Sequence, residues 1–86
     1  MRPDEVILYP LMTEKAIDII ERENKLTFVV NRRAKKGDIV KAMEELYEVE
    51  VEEVRTLINR WGEKKAYVRL SPKYSASDLA IKLGIL

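Results

Sequence analysis

Residues Val54–Leu70 alternate in polarity on both sides of a glycine-containing connection, and few structures other than an antiparallel hairpin accommodate that pattern. Val54, Thr56 and Ile58 on the first arm share an apolar face with Ala66, Val68 and Leu70 on the second. Arg55, Leu57 and Asn59 fall on the other face with Lys65, Tyr67 and Arg69. The connection adds Arg60, Trp61 and Lys64, and Gly62 supplies the backbone freedom of a tight turn. Cations mixed with exposed aromatic rings on a flat sheet suit phosphates, sugars and stacked bases. A plainly solvated sheet face also takes Lys, Arg, Tyr and Thr, so the hairpin alone leaves both readings open.

The rest of the chain supplies layers for that hairpin to pack against. Val6–Tyr9 reads as a short strand closed by Pro10, which has no N–H to donate. Thr13 is a helix N-cap, with Glu14 at the positive end of the dipole, and the helix runs to about Glu23–Asn24. Leu26–Asn31 is a strand of strong β-formers. Ile39, Val40, Met43, Leu46 and Tyr47 then recur as one helical stripe, with Lys41 spaced to pair with Glu44 or Glu45. Glu-Val-Glu-Val from Glu48 switches the period to two and begins the hairpin. Ser75 with Asp78 starts a last short helix that stops at Gly84. The order β-α-β-α-β-β-α predicts an α+β fold: a single layered domain spanning residues 1–86, with a largely antiparallel sheet of three to four strands and helices packed on it.

The chain has 86 residues with neither cysteine nor histidine. That removes disulfides, thiolate nucleophiles, cysteine–histidine zinc sites and imidazole bases. The acids sit on helix and strand faces without the loop spacing of a calcium site, and no glycine-rich phosphate loop occurs. The expectation is a non-enzyme with no cofactor, no metal and no small-molecule substrate. No apolar run is long enough to cross a bilayer and no signal-peptide pattern is present, so no membrane insertion and a cytoplasmic location are expected. Abundant Glu and Lys with short loops suggest a hot habitat, in which surface charges would serve ion-pair networks.

A formal net charge of +1 hides strong segregation. Arg32, Arg33, Lys35 and Lys36 stand together without an acid, and Arg55–Lys73 contains six cations against Glu63 alone. Between them Glu44, Glu45, Glu48, Glu50, Glu52 and Glu53 form an acidic block. Local field, not the total, governs steering and phosphate contact.

Tyr9-Pro10-Leu11-Met12-Thr13-Glu14-Lys15-Ala16, then Leu26–Val30, Lys36–Val51 and Lys64-Lys65-Ala66-Tyr67-Val68-Arg69-Leu70, together resemble the L23 family of large-subunit ribosomal proteins. The resemblance follows chain order over nearly the whole sequence. It implies a component of the large subunit that binds ribosomal RNA at the rim of the polypeptide exit tunnel, beside neighbouring ribosomal proteins. It also implies a docking site for nascent-chain factors such as signal recognition particle or, in bacteria, trigger factor. Bacterial members carry a long hairpin insertion reaching into the tunnel, whereas Arg60–Glu63 here is only a tight connection. Eukaryotic members carry a long basic N-terminal extension, and this sequence begins almost directly on the domain, so it resembles the compact archaeal type.

The candidate RNA ligands are Arg32, Arg33, Lys35 and Lys36 beside the sheet, and Arg55, Asn59, Arg60, Lys64, Lys65, Tyr67 and Arg69 on the hairpin. Trp61 is placed to stack or wedge, or simply to shield the hairpin. Lys15 joins them through the resemblance, since periodicity leaves it on a solvated helix face. Recognition of this kind is mostly of folded RNA shape. For a protein partner the resemblance implies Glu14, with Asp18 and Glu21 on the same helical face, and Glu48 at the end of the second helix; helix-dipole and i,i+4 support is their alternative use. Two other function classes remain at this stage: a free-standing RNA-binding or protein-interaction module, and an acylphosphatase-like hydrolase using Asn31 and Arg32. The second lacks the glycine-rich anion cradle.

Overall fold

Alternation along the hairpin produces strands β3, Val51–Ile58, and β4, Lys64–Leu70, joined across Asn59–Glu63. A computed structural model describes all 86 residues, and in it β4 is a central strand. Strand β2, Lys25–Val30, pairs with its other side, and β1, Ile7–Pro10, pairs with β2. The sheet order is β1-β2-β4-β3 with every pairing antiparallel. Both edge strands are irregular, with register shifts between Ile7 and Tyr9 and between Val51 and Glu53. Irregular, charged or proline-ended edges resist pairing with other chains.

A helical turn α1, Pro3–Val6, precedes β1, so Val6 ends a helix instead of opening the strand. Pro3 at its first position needs no N–H partner there, which favours the turn locally. Helix α2 spans Glu14–Glu23, with the Thr13 hydroxyl accepting the Ala16 N–H at 3.1 Å. Helix α3 spans Lys36–Tyr47, and the Lys35 N–H donates to Asp38 Oδ2 at 2.9 Å. Helix α4, Ala76–Lys82, starts as expected, with Ser75 Oγ accepting the Asp78 N–H at 3.1 Å.

One face of the sheet holds the core. Leu26, Phe28, Val30, Val54, Ala66, Val68 and Leu70 pack there against Ile39, Ala42 and Met43 of α3 and Ala76, Leu79 and Ala80 of α4. Tyr47 stacks on Phe28 with ring centroids 6.2 Å apart. Strand β2 is buried on both faces, because Thr27 and Val29 are also covered. Thr27 is covered by α2, whose Ala16 and Ile19 line a cleft with Thr27 and Tyr67 on the reverse face. Helices therefore lie on both sides of β2, while the reverse face of β3 and β4 stays open.

Two apolar expectations fail for one physical reason, position at a margin. Ile58 is the last residue of an edge strand and is 51% exposed, outside the helical cover. Leu46 flanks the α3 stripe and is 41% exposed, while Ala42 takes the core position. Lys41 makes no ion pair with Glu44 or Glu45, and only six close ion pairs form over the whole surface, which argues against a pervasive charge network.

Candidate nucleic-acid interface

Two loops far apart in sequence meet at one end of the sheet. Val30 and Ile58 both pair with Lys64, so the turn leaving β2 and the tip of the β3–β4 hairpin emerge side by side. The Asn31–Ala34 turn is closed by the Ala34 N–H to the Asn31 carbonyl at 3.0 Å and by the Arg33 N–H to Asn31 Oδ1 at 2.9 Å. An Asn side chain bonding the backbone two residues on is a strong local turn determinant. It leaves Arg32 and Arg33 exposed, followed by exposed Lys35 and Lys36 at the start of α3. The Arg32 guanidinium reaches the tip, where Nη1 lies 3.5 Å from the position a Cβ would take on Gly62.

The tip is internally braced. Asn59 Oδ1 accepts the N–H groups of Trp61 and Glu63, each at 3.0 Å, and its Nδ2 donates to Glu63 Oε1 at 3.1 Å. Gly62 has φ +83°, a conformation that side-chain-bearing residues seldom adopt, and its N–H donates to the Asn59 carbonyl. Tyr9 of β1 reaches across to donate its hydroxyl to Glu63 Oε2 at 3.0 Å. The Asn59 amide and the Tyr9 hydroxyl hold the Glu63 carboxyl below its ordinary pKa, and the same bond raises Tyr9. The only acid of the tip is thereby engaged within the protein.

None of Arg32, Arg33, Lys35, Lys36, Arg60, Lys64 or Lys65 belongs to an ion pair. Arg60 instead lies over the Trp61 ring, 4.7 Å from its centroid. Lys64 opens β4 and points to the core side, where its ammonium donates to the Ala34 carbonyl and ties the two loops together. Asn59 likewise has its side chain occupied within the loop, as a positioning group.

The open face of the hairpin is different. Arg55 and Arg69 both approach Glu53, at 3.8 and 3.3 Å, because Glu53 pairs with Arg69 in the register. Sequence reasoning assigned Glu53 to the acidic block and missed it on this face; its place in the β3 alternation was the available signal. Arg69 Nε is buried without a partner. Lys65 and Tyr67 line, with Lys15, Leu11 and Thr13, a cleft of about 160 Å³ beside α2. Lys15 therefore joins the sheet-face residues in space.

The acidic candidates divide. Glu14 and Asp18 border an open hollow on α2 with Lys15 between them. Asp18 bonds Arg22 at 2.7 Å, one turn on, and Glu21 is exposed. Glu48 is the left-handed C-cap of α3, φ +55°, in a separate groove with Tyr47, Lys73 and Tyr74. It lies about 18 Å along the helix from the basic start of α3.

This geometry offers charged surfaces and shallow clefts, and no three acids converge as a metal site. It defines the class: a small α+β interaction domain whose cations converge from two loops. A family model described as Ribosomal protein L23 matches residues 5–77 of the 86-residue chain. The chain belongs to the ribosomal protein L23 family, whose role is structural, in the large ribosomal subunit, and not catalytic. Ribosomal RNA and other ribosomal proteins are the partners the family implies. No helix is long and apolar enough to cross a membrane.

Proposed function

We propose that this protein binds large-subunit ribosomal RNA chiefly through the end of the sheet formed by Arg32, Arg33, Lys35, Lys36, Arg60 and Trp61. The carrying observation is the convergence of unpaired cations from two loops, with Arg32 against the hairpin tip. Guanidinium forks clamp phosphate oxygens in two places, while lysines act as point charges. Lys15, Lys65 and Tyr67 form a flanking contact zone along the reverse face. Arg55 and Arg69 extend it once Glu53 is displaced by a phosphate. Asn59 and Lys64 serve by holding the loops.

Family resemblance supports a location at the exit-tunnel rim of cytoplasmic ribosomes, in the compact archaeal form. The short Asn59–Glu63 connection supports a rim position without a tunnel-lining hairpin. Glu14, Asp18 and Glu21 form the docking surface for signal recognition particle or another nascent-chain factor, with Glu48 as a separate contact. Co-sedimentation of the tagged chain with large subunits, washed at low and then high salt, tests this reading. Retention in the large-subunit peak through the wash is the expected result. Loss at low salt would overturn it in favour of a free-standing module.

A further inference from the structure

Trp61 is 73% exposed even with Arg60 over its ring, yet its backbone is held by Asn59 and the tip is tied to β1 through Glu63 and Tyr9. A large indole kept in water at a fixed position contributes nothing to the core. Exposed apolar surface of this kind marks a contact site when its surroundings fit a partner. Its surroundings are cationic: Arg60 lies on the ring and Arg32 reaches Gly62 from the adjacent turn, where Arg33 is also exposed.

We infer that Trp61 is a stacking platform for one unpaired RNA base, with Arg60 backing the indole and Arg32 and Arg33 taking the flanking phosphates. The inference rests on the RNA-binding reading above and adds the kind of RNA, a looped-out or single-stranded nucleotide instead of a paired helix. Bases within an A-form helix are stacked on their neighbours, so only an unpaired one presents a free π face. A protein partner fits less well, because the Arg60 guanidinium over the indole and the Arg32 guanidinium beside Gly62 would have to be desolvated together. Bracing by Asn59 also reduces the ordering cost when the base arrives.

Trp61 is the only tryptophan, so its fluorescence reports on this site alone. The isolated chain is titrated with deproteinised large-subunit ribosomal RNA, and Trp61→Phe, Trp61→Leu and Trp61→Ala variants are compared by filter binding. Quenching of Trp61 on binding is expected. Trp61→Phe should retain most of the affinity, while Trp61→Leu and Trp61→Ala should both lose roughly five- to a hundred-fold, the range of one base–aromatic stack. A Leu variant binding like wild type would overturn the inference, since apolar bulk without a π face would then suffice. Binding without quenching, or with all three variants unaffected, would also overturn it while leaving the RNA-binding reading intact. Failure of the wild type to bind the RNA at all would overturn both.

Discussion

Asn24 uses its whole side chain at one junction. Its Nδ2 donates to the carbonyls of Leu70 at 3.2 Å and Tyr74 at 3.0 Å, and its Oδ1 accepts the Ala76 N–H at 2.8 Å. Its backbone is left-handed, φ +55°, where Asn is tolerated better than other side-chain-bearing residues. One residue thus ends α2, receives the end of β4 and fixes the start of α4. Asn24→Ala should lower unfolding free energy by about 2–4 kcal/mol in urea, from lost hydrogen bonds and left-handed strain. Asn24→Gly forfeits the same hydrogen bonds but adopts the left-handed backbone without strain, so it should lose less; equal stability of the alanine variant and wild type would contradict this account. That a helix stops at Asn24 was legible in the sequence. Its partners at residues 70–76 were not, because no local periodicity marks a contact across some fifty positions. The same limit hid the Lys64 bond to Ala34, whereas the Glu53 pairing with Arg69 was marked by the hairpin alternation and overlooked.

The hairpin is the element whose faces and turn were most legible, Ile58 at its margin excepted, because alternation and Gly62 both constrain it. Its tether to β1 was not legible, since Tyr9 and Glu63 lie 54 residues apart. That tether makes a signed pH prediction. The folded-state pKa of Glu63 is depressed by the Asn59 amide first and the Tyr9 hydroxyl second. Its stabilising contribution is therefore present above the ordinary value of 4.5 and is lost as pH falls through the lower folded-state pKa. Tyr9 is raised, so its contribution is present below 10.0 and is lost as pH rises through the folded-state value. Thermal unfolding of Glu63→Gln and wild type should differ near neutral pH and converge in acid. A difference that persists unchanged into acid would contradict the tether. Gly62→Ala should destabilise the tip by about 1 kcal/mol, through its positive φ, in the same unfolding assay.

Across the whole molecule, of 28 × 26 × 21 Å, the basic loops and Glu48 stand at opposite ends of α3, while on α2 acids and a cation interleave, with Lys15 between Glu14 and Asp18. The charge blocks were legible as runs along the chain, but their convergence required the β1-β2-β4-β3 order, which brings residues near 32 beside residues near 62. Glu14→Lys should weaken recruitment of signal recognition particle to ribosomes while leaving subunit assembly intact, read by co-sedimentation of the particle; normal recruitment would remove α2 from the docking role. The most direct test of the basic end is the salt dependence of binding to deproteinised large-subunit ribosomal RNA by wild type and an Arg33→Ala, Lys36→Ala double variant. Each lost phosphate contact should flatten the slope of log K against log salt by roughly 0.7–0.9, so the double variant should lose about 1.5. An unchanged slope would contradict the assignment of RNA binding to this end of the sheet.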